Sequence, residues 1–359
     1  MNGQKKKQNS LILVMGVLSS VLLLSGFGSL FFLLPIVYVA IRFGRKALFL
    51  SSLISVVLFS GITFGIAGLT ELATYSVILT IALLLCFNII AQSKLRNFVY
   101  RILLSAVLLI PVAQIVIPAI LNNETLKSTI IEQLNALLVT NELELSGKTL
   151  YNEAIAIFAK VNGASLVVFL FLNAWLGGAW FINRRYRNFI NVIVGASEAI
   201  KSNINDIPSE QNGKESVNKS ANEELLRLAQ KINEEQQNGA DLIFPYDLKT
   251  YFVPQVLIWL LLAVWAFLLI SLKVQFPIFI LNLAWNCAIV VSFSYLFQGL
   301  AVVYTRLSLL PAAPAARLGF TIILILLVVG GAVSLVVSIL LILIGTLETW
   351  IRLRPIKGV

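Results

Sequence analysis

The chain has no histidine among its 359 residues. That absence removes the commonest metal ligand and the commonest general base of enzymes. Charge is scarce too: 12% of residues are Asp, Glu, Lys or Arg, against about 25% in a soluble domain. The two cysteines, Cys86 and Cys287, fall inside apolar runs. They read as small buried hydrophobes and not as a disulfide or a metal site. No G-x-x-x-x-G-K-[ST] loop is present, which removes a P-loop for ATP, and an H-E-x-x-H zinc motif is impossible without histidine.

The sharpest absence is local. Eight stretches contain no charged residue at all: 8–41, 47–70, 72–93, 102–123, 161–183, 250–272, 274–305 and 318–347, each at least 22 residues long. About 20 apolar helical residues cross the hydrocarbon core of a bilayer, and no soluble core needs so many runs of that length. With 58% hydrophobic residues and a mean hydropathy of +0.91, the chain reads as an all-α, polytopic membrane helix bundle. The middle of each run holds no ionisable side chain. A proton-driven carrier would normally place one there, and an intramembrane protease or acyltransferase would need acid–base groups. The sequence therefore reads as non-enzymatic, with no catalytic, cofactor-binding or metal-binding residue.

What charge there is falls in order. The net charge of +10 sits at the ends of the apolar runs and not on one folded face, which speaks against nucleic acid and for the positive-inside rule. Lys5, Lys6 and Lys7 precede a run that stays uncharged to Ile41, so it reads as a retained first span and not as a cleaved signal. Gly26, Gly28 and Pro35 break this run. Read as a hairpin, it keeps both Lys5–Lys7 and the Arg42, Arg45, Lys46 cluster inside; read as one span, it puts one cluster outside. The hairpin is preferred. Alternation then gives spans over about 47–68, 72–92, 102–121, 164–183, 252–272 and 276–299. The last run contains Gly330-Gly331, and a bend there keeps Arg352, Arg354 and Lys357 inside. This count gives about ten membrane segments, within a range of eight to ten, with both termini cytoplasmic in an inner membrane. Only Lys127, Lys148, Lys160 and Lys273, of 27 basic residues, then fall outside.

The chain divides accordingly. Residues 1–121 hold membrane segments one to five, 122–163 an external part, 164–183 segment six, 184–250 a cytoplasmic part, and 251–359 segments seven to ten. In the external part, Leu126, Ile130, Ile131, Leu134, Leu137 and Leu138 recur at helical spacing, and a second amphipathic stretch runs from Tyr151 to Phe158. Two short helices resting on the membrane or capping the bundle are expected; a lid over an outward-facing site is the sharper alternative. In the cytoplasmic part, 203–220 reads as a flexible linker, and Ser220-Ala-Asn-Glu223 opens a helix with a capping box. That helix either docks on the bundle or meets a cytoplasmic partner.

The polar residues left inside the runs are amides: Asn88, Gln92, Gln114, Asn173, Gln255, Asn282, Asn286 and Gln298. In lipid such groups bond across helices. Asn282 and Asn286 are one turn apart, and Gln298 returns to roughly the same side. With Trp285 they form the candidate ligand-facing stripe. Gly61-x-x-x-Gly65 and Gly177-Gly178 are accounted for by close helix packing.

Three passages carry a resemblance. Phe244-Pro-Tyr-Asp-Leu-Lys249 runs into the Pro254 span, Phe297-Gln-Gly-Leu-Ala-Val-Val303 follows, and Ile344-Gly-Thr-Leu-Glu-Thr-Trp-Ile-Arg352-Leu-Arg354 closes the run. Together they resemble the YybS-like bacterial membrane proteins, a family of unknown function. The stretch Leu34-Pro35 through Arg42-Phe-Gly44-Arg-Lys46 is similar to the opening of S-components of energy-coupling-factor transporters. That resemblance implies a membrane subunit that binds a small solute while a separate module supplies the ATPases. The alternative is a non-enzymatic envelope scaffold that docks partner proteins through its two polar parts.

Overall fold

The computed structural model describes residues 2–25, 27–92, 97–140, 146–205, 248–309, 313–351, 353 and 354. Among them there is no strand. The helices are α1 (Asn2–Leu24), α2 (Leu34–Phe43), α3 (Arg45–Ala67), α4 (Glu71–Gln92), α5 (Phe98–Leu121), α6 (Glu124–Thr140), α7 (Gly147–Asn205), α8 (Leu257–Ser271), α9 (Ile278–Leu307), α10 (Ala313–Val329) and α11 (Ala332–Leu347). Most of the expected linker over 203–220 and the capped helix from Ser220 lie outside the described residues.

Six helical stretches are long and apolar enough to cross a bilayer: Lys7–Leu24, Arg45–Ala67, Glu71–Ala91, Phe98–Leu121, Gly147–Phe181 and Ile278–Leu307. The count rises to seven if the bent α10–α11 pair is one span. The expected ten segments therefore reduce to fewer full-length ones. Gly28–Phe43 and Leu257–Ser271 are apolar but shorter than 18 residues, below the ~20 that span the core. The second amphipathic stretch of the external part is not a separate helix either. Tyr151–Phe158 belongs to α7, which is helical for 59 residues.

The described residues form two compact units, one of Met1–Ser55 with Asn173–Tyr246 and one of Val56–Leu172 with Asp247–Val359. In the first unit the expected hairpin over 8–41 is present, but unequally built: a full helix, α1, returns through a turn to the ten-residue α2. A small-residue seam joins α1 to α3. Ser19 Oγ donates to the Phe32 carbonyl at 2.7 Å, Ser20 Oγ to the Ser55 carbonyl at 3.1 Å and Ser55 Oγ to Ser19 Oγ at 3.2 Å. A Cβ on Gly16 would lie 2.8 Å from Ile54. In lipid, where apolar side chains gain nothing by leaving the solvent, small residues with hydroxyls are the groups that hold helices together. Ile12, Val39 and Ala47 form the adjoining core. Gly44, at φ 82°, turns the chain from α2 into α3, a conformation that costs glycine little. Gly177 packs on Val37, where a Cβ would lie 2.8 Å from the valine.

In the second unit α4 and α5 lie side by side. Ser105 Oγ donates to the Cys86 carbonyl at 3.2 Å, and buried Arg101 donates to the Ile90 carbonyl at 3.3 Å. α9 and α11 approach closely. A Cβ on Gly299 would sit 2.0 Å from the Leu341 carbonyl oxygen, and one on Gly345 would sit 2.0 Å from that of Tyr295. The two helices therefore run antiparallel there, backbone on backbone. By contrast, a Cβ on Gly61 or Gly65 would meet nothing within 4 Å. The G-x-x-x-G pattern expected to pack a helix faces open space, because spacing identifies a groove and not the helix that fills it.

The run 318–347 bends at its glycines, the alternative preferred from the sequence. The two helical pieces meet at 116°, Gly331 has φ 52°, and Ser334 Oγ donates to the Leu327 carbonyl at 2.7 Å. Phe320 of α10 packs on Tyr304, with ring centres 5.0 Å apart. Lys249 Nζ lies 5.7 Å from the Tyr304 ring, and Arg354 reaches the Lys249 carbonyl at 2.9 Å. The segment thus returns to the end from which it sets out.

Gly299→Ala and Gly345→Ala are each expected to destabilise the protein by about 1–3 kcal/mol, because backbone atoms must part to admit a methyl. Gly61→Ala and Gly65→Ala should stay within ~0.5 kcal/mol of the parent. Thermal unfolding of the four variants in one detergent would show the split; equal losses at all four would contradict the assigned contact.

Candidate functional site

Two polar nodes are built into the second unit. The first lies where α5, α7 and α9 meet. In an α-helix the carbonyl of residue 160 and the N–H of residue 164 are ladder partners. Here the Asn286 side chain from α9 binds both: its Nδ2 donates to the Lys160 carbonyl at 2.9 Å and its Oδ1 accepts from the Ala164 N–H at 2.6 Å. The same Nδ2 donates to the Asn282 carbonyl at 2.8 Å. The preceding rung is treated alike. Gln114 Nε2 from α5 donates to the Ala159 carbonyl at 3.0 Å and to Asn162 Oδ1 at 2.9 Å, while the Gly163 N–H donates to that same Asn162 oxygen. Two successive rungs of α7 are therefore engaged by amide side chains.

Local sequence explains the position. Asn162-Gly163 is a pair that favours turns over helix interiors. Gly163 is also the residue that admits the neighbours, since a Cβ there would lie 3.0 Å from Ile110 Cα and 3.1 Å from Asn286 Oδ1. One valence of the node is open. Asn162 is 0% exposed, and its Nδ2 has no hydrogen-bond partner. The orientation of this amide is fixed by chemistry. Its oxygen receives two N–H donors, and rotating the group would set donor against donor. The open valence is therefore an N–H donor.

The second node is a non-helical strap over 251–256 that follows a short 3₁₀ turn, Leu248–Thr250. A backbone outside regular structure still needs partners; local turns supply some, such as Leu257 N–H to the Pro254 carbonyl, and side chains supply others. Arg354 Nη1 donates to the carbonyls of Lys249 and Tyr251, each at 2.9 Å. Asn97 Nδ2 donates to the Phe252 carbonyl at 3.3 Å, and Gln298 Oε1 accepts from the Val253 N–H at 2.8 Å. Gln255 Nε2 donates to the Thr349 carbonyl at 2.9 Å. Arg354 is itself held by Glu348, Nε to Oε1 at 2.9 Å, and Glu348 Oε2 accepts from the Leu353 N–H at 3.1 Å. Beneath the strap the buried Tyr251 ring packs edge-on to Phe297 at 5.2 Å and to Phe171 at 6.1 Å.

The candidate stripe is thus divided. Asn286 and the Asn282 carbonyl belong to the first node. Trp285 packs edge-on to Trp265, ring centres 6.2 Å apart. Gln298 serves the strap. Sequence reasoning grouped Gln114 with the other amides but gave it no partner, and it passed over Asn162, Gly163, Asn97 and the Glu348–Arg354 pair. The Asn-Gly pair inside an otherwise helical run was the available signal for the first node. Lys249, Gln298 and the Glu348–Arg354 pair, far apart in sequence, meet at the second node. Among the described residues no group of three or more Cys, Asp or Glu is placed to hold a metal ion. No family model, no curated protein and no solved structure matches the chain.

Asn286→Ala would leave the Lys160 carbonyl and the Ala164 N–H without this partner. It is expected to cost about 1–3 kcal/mol, read as a lower unfolding temperature, together with faster amide exchange around residue 164. Trp285→Ala should leave exchange there unchanged; a loss of protection at 164 equal to that of the Asn286 variant would overturn the assignment.

Proposed function

We propose that the chain is a non-enzymatic, multi-pass protein of the bacterial inner membrane, YybS-like and related in role to S-components, that binds a small solute at the α5–α7–α9 node. The observation that carries this reading is the open Asn162 Nδ2, a fully buried donor beside two amide-engaged rungs of α7. A polar group left without a partner in a bundle of apolar helices is costly. In membrane carriers, backbone and amide groups that depart from the plain helical ladder are where solutes sit. Because the open valence is a donor, the solute presents an acceptor oxygen, such as a carbonyl, a hydroxyl or a carboxylate. A bare cation has nothing to offer it. A separate ATPase module is the partner this reading calls for.

The positive-inside pattern supports both termini on the cytoplasmic side. In this reading the short helices over Gly28–Phe43 and Leu257–Ser271 lie within the bilayer, which restores ten membrane segments. The contacts among Asn97, Lys249, Phe252, Tyr304 and Arg354 support it, since they draw together points that the charge pattern assigns to one side.

A second reading, an envelope scaffold, is favoured by α6. This amphipathic helix is largely exposed, with Leu137 61% accessible. Native mass spectrometry of the full chain released from membranes separates the two. The solute reading expects a bound small molecule that is lost in Asn162→Leu and retained in an α6 variant, Leu137→Asp. A stable complex with envelope proteins, lost in Leu137→Asp and indifferent to Asn162→Leu, would establish the scaffold instead.

A further inference from the structure

We propose that the strap before α8 is a releasable latch, held shut by the Glu348–Arg354 clasp, that governs how α7 and α9 pack in the second unit. The strap joins the Leu248–Thr250 turn to α8. Its attachment is unlike that of any helix. A helix holds its own backbone through a ladder of bonds. The strap has its backbone groups bound by side chains from three other places: Asn97 ahead of α5, Gln298 on α9, and Arg354 beyond α11.

The clasp is the dominant fastening. One guanidinium nitrogen binds the Lys249 carbonyl of the turn and the Tyr251 carbonyl of the strap, and the carboxylate that positions it is itself 6% exposed. Charge-assisted bonds of this kind are stronger than neutral ones and depend on geometry. Losing Arg354 therefore opens Lys249 and Tyr251 together. The opening has somewhere to go. Tyr251 is the strap's inward anchor, in ring contact with Phe171 of α7 and Phe297 of α9. The Phe171 and Phe297 rings touch each other with centres 4.5 Å apart. Withdrawing Tyr251 would remove the ring that bears on both helices at once, and these are two of the three helices that form the first polar node.

Trypsin reads the latch directly. Cleavage after Lys249 needs the Lys249 carbonyl free, and that is the oxygen Arg354 holds. In the full chain in lipid nanodiscs, Arg354→Ala is expected to speed cleavage of the Lys249–Thr250 bond by about tenfold or more, because a local opening replaces a bonded state. Arg354→Lys, which keeps the charge but must hold Glu348 and the two carbonyls with a single nitrogen, should fall between the parent and the alanine variant. If Arg354→Ala does not fold, Glu348→Gln serves, since it keeps one acceptor oxygen, turns the other into a donor and removes the charge that fixes Arg354. Hydrogen exchange should rise in parallel around Phe171 and Phe297 and stay at the parent's level around Cys86 and Ser105. Equal trypsin rates at Lys249 in folded parent and variant would overturn the latch. Faster cleavage with unchanged exchange around Phe171 and Phe297 would overturn its action on the helices.

Discussion

In hydrocarbon, a peptide N–H or carbonyl that leaves its helix has no water to turn to. Most of this chain meets that constraint with plain helices. The informative places are the few where it does not. In the strap over 251–256, Asn97, Gln298 and Arg354 bind three backbone groups that the local turns leave open, and two rungs of α7 are shared with Gln114, Asn162 and Asn286. Amide and guanidinium side chains are the natural tools, because each carries donors at a spacing that fits peptide groups. The scarcity of charge in the sequence and the placement of its amides thus have one origin.

The cohesion of the helices follows from the same environment. Apolar side chains gain little by leaving lipid, so contact must come from close approach and directed bonds. The serine seam of the first unit and the paired glycines of the second are two versions of that solution. Ser19, Ser20 and Ser55 bond across the gap. Gly299 and Gly345 remove the gap.

Much of the helix layout was legible beforehand, because uncharged length is a property of the sequence alone. The starts of α3, α4 and α5 fall at Arg45, Glu71 and Phe98, within a few residues of the ends of uncharged runs. The bend at Gly330-Gly331 followed from the need to bring Arg354 back. Partnership was not legible. Gly61 and Gly65 carry the packing pattern and meet nothing, while Gly299 and Gly345 are 46 positions apart and meet across two carbonyls. Asn282, Asn286 and Gln298 share a helix face, yet they serve different neighbours, because a helical turn says which way a side chain faces and not what stands there. Length misled as well. α2 and α8 are too short to count as full spans, because the 3₁₀ stretch Phe27–Phe31 and the strap before Leu257 take up residues of their apolar runs.

The α9–α11 contact has a consequence for how the bundle finds its arrangement. Each glycine rests on the carbonyl of a large residue, Gly299 on Leu341 and Gly345 on Tyr295. Slide one helix by a single turn and Gly345 would oppose Gly299, while Leu341 would be driven into Val303 with no glycine to receive it. The pair works as a key with two teeth, which turns in one position. Helices that associate in the bilayer have few ways to correct a wrong alignment, and here shape alone admits one alignment of the pair.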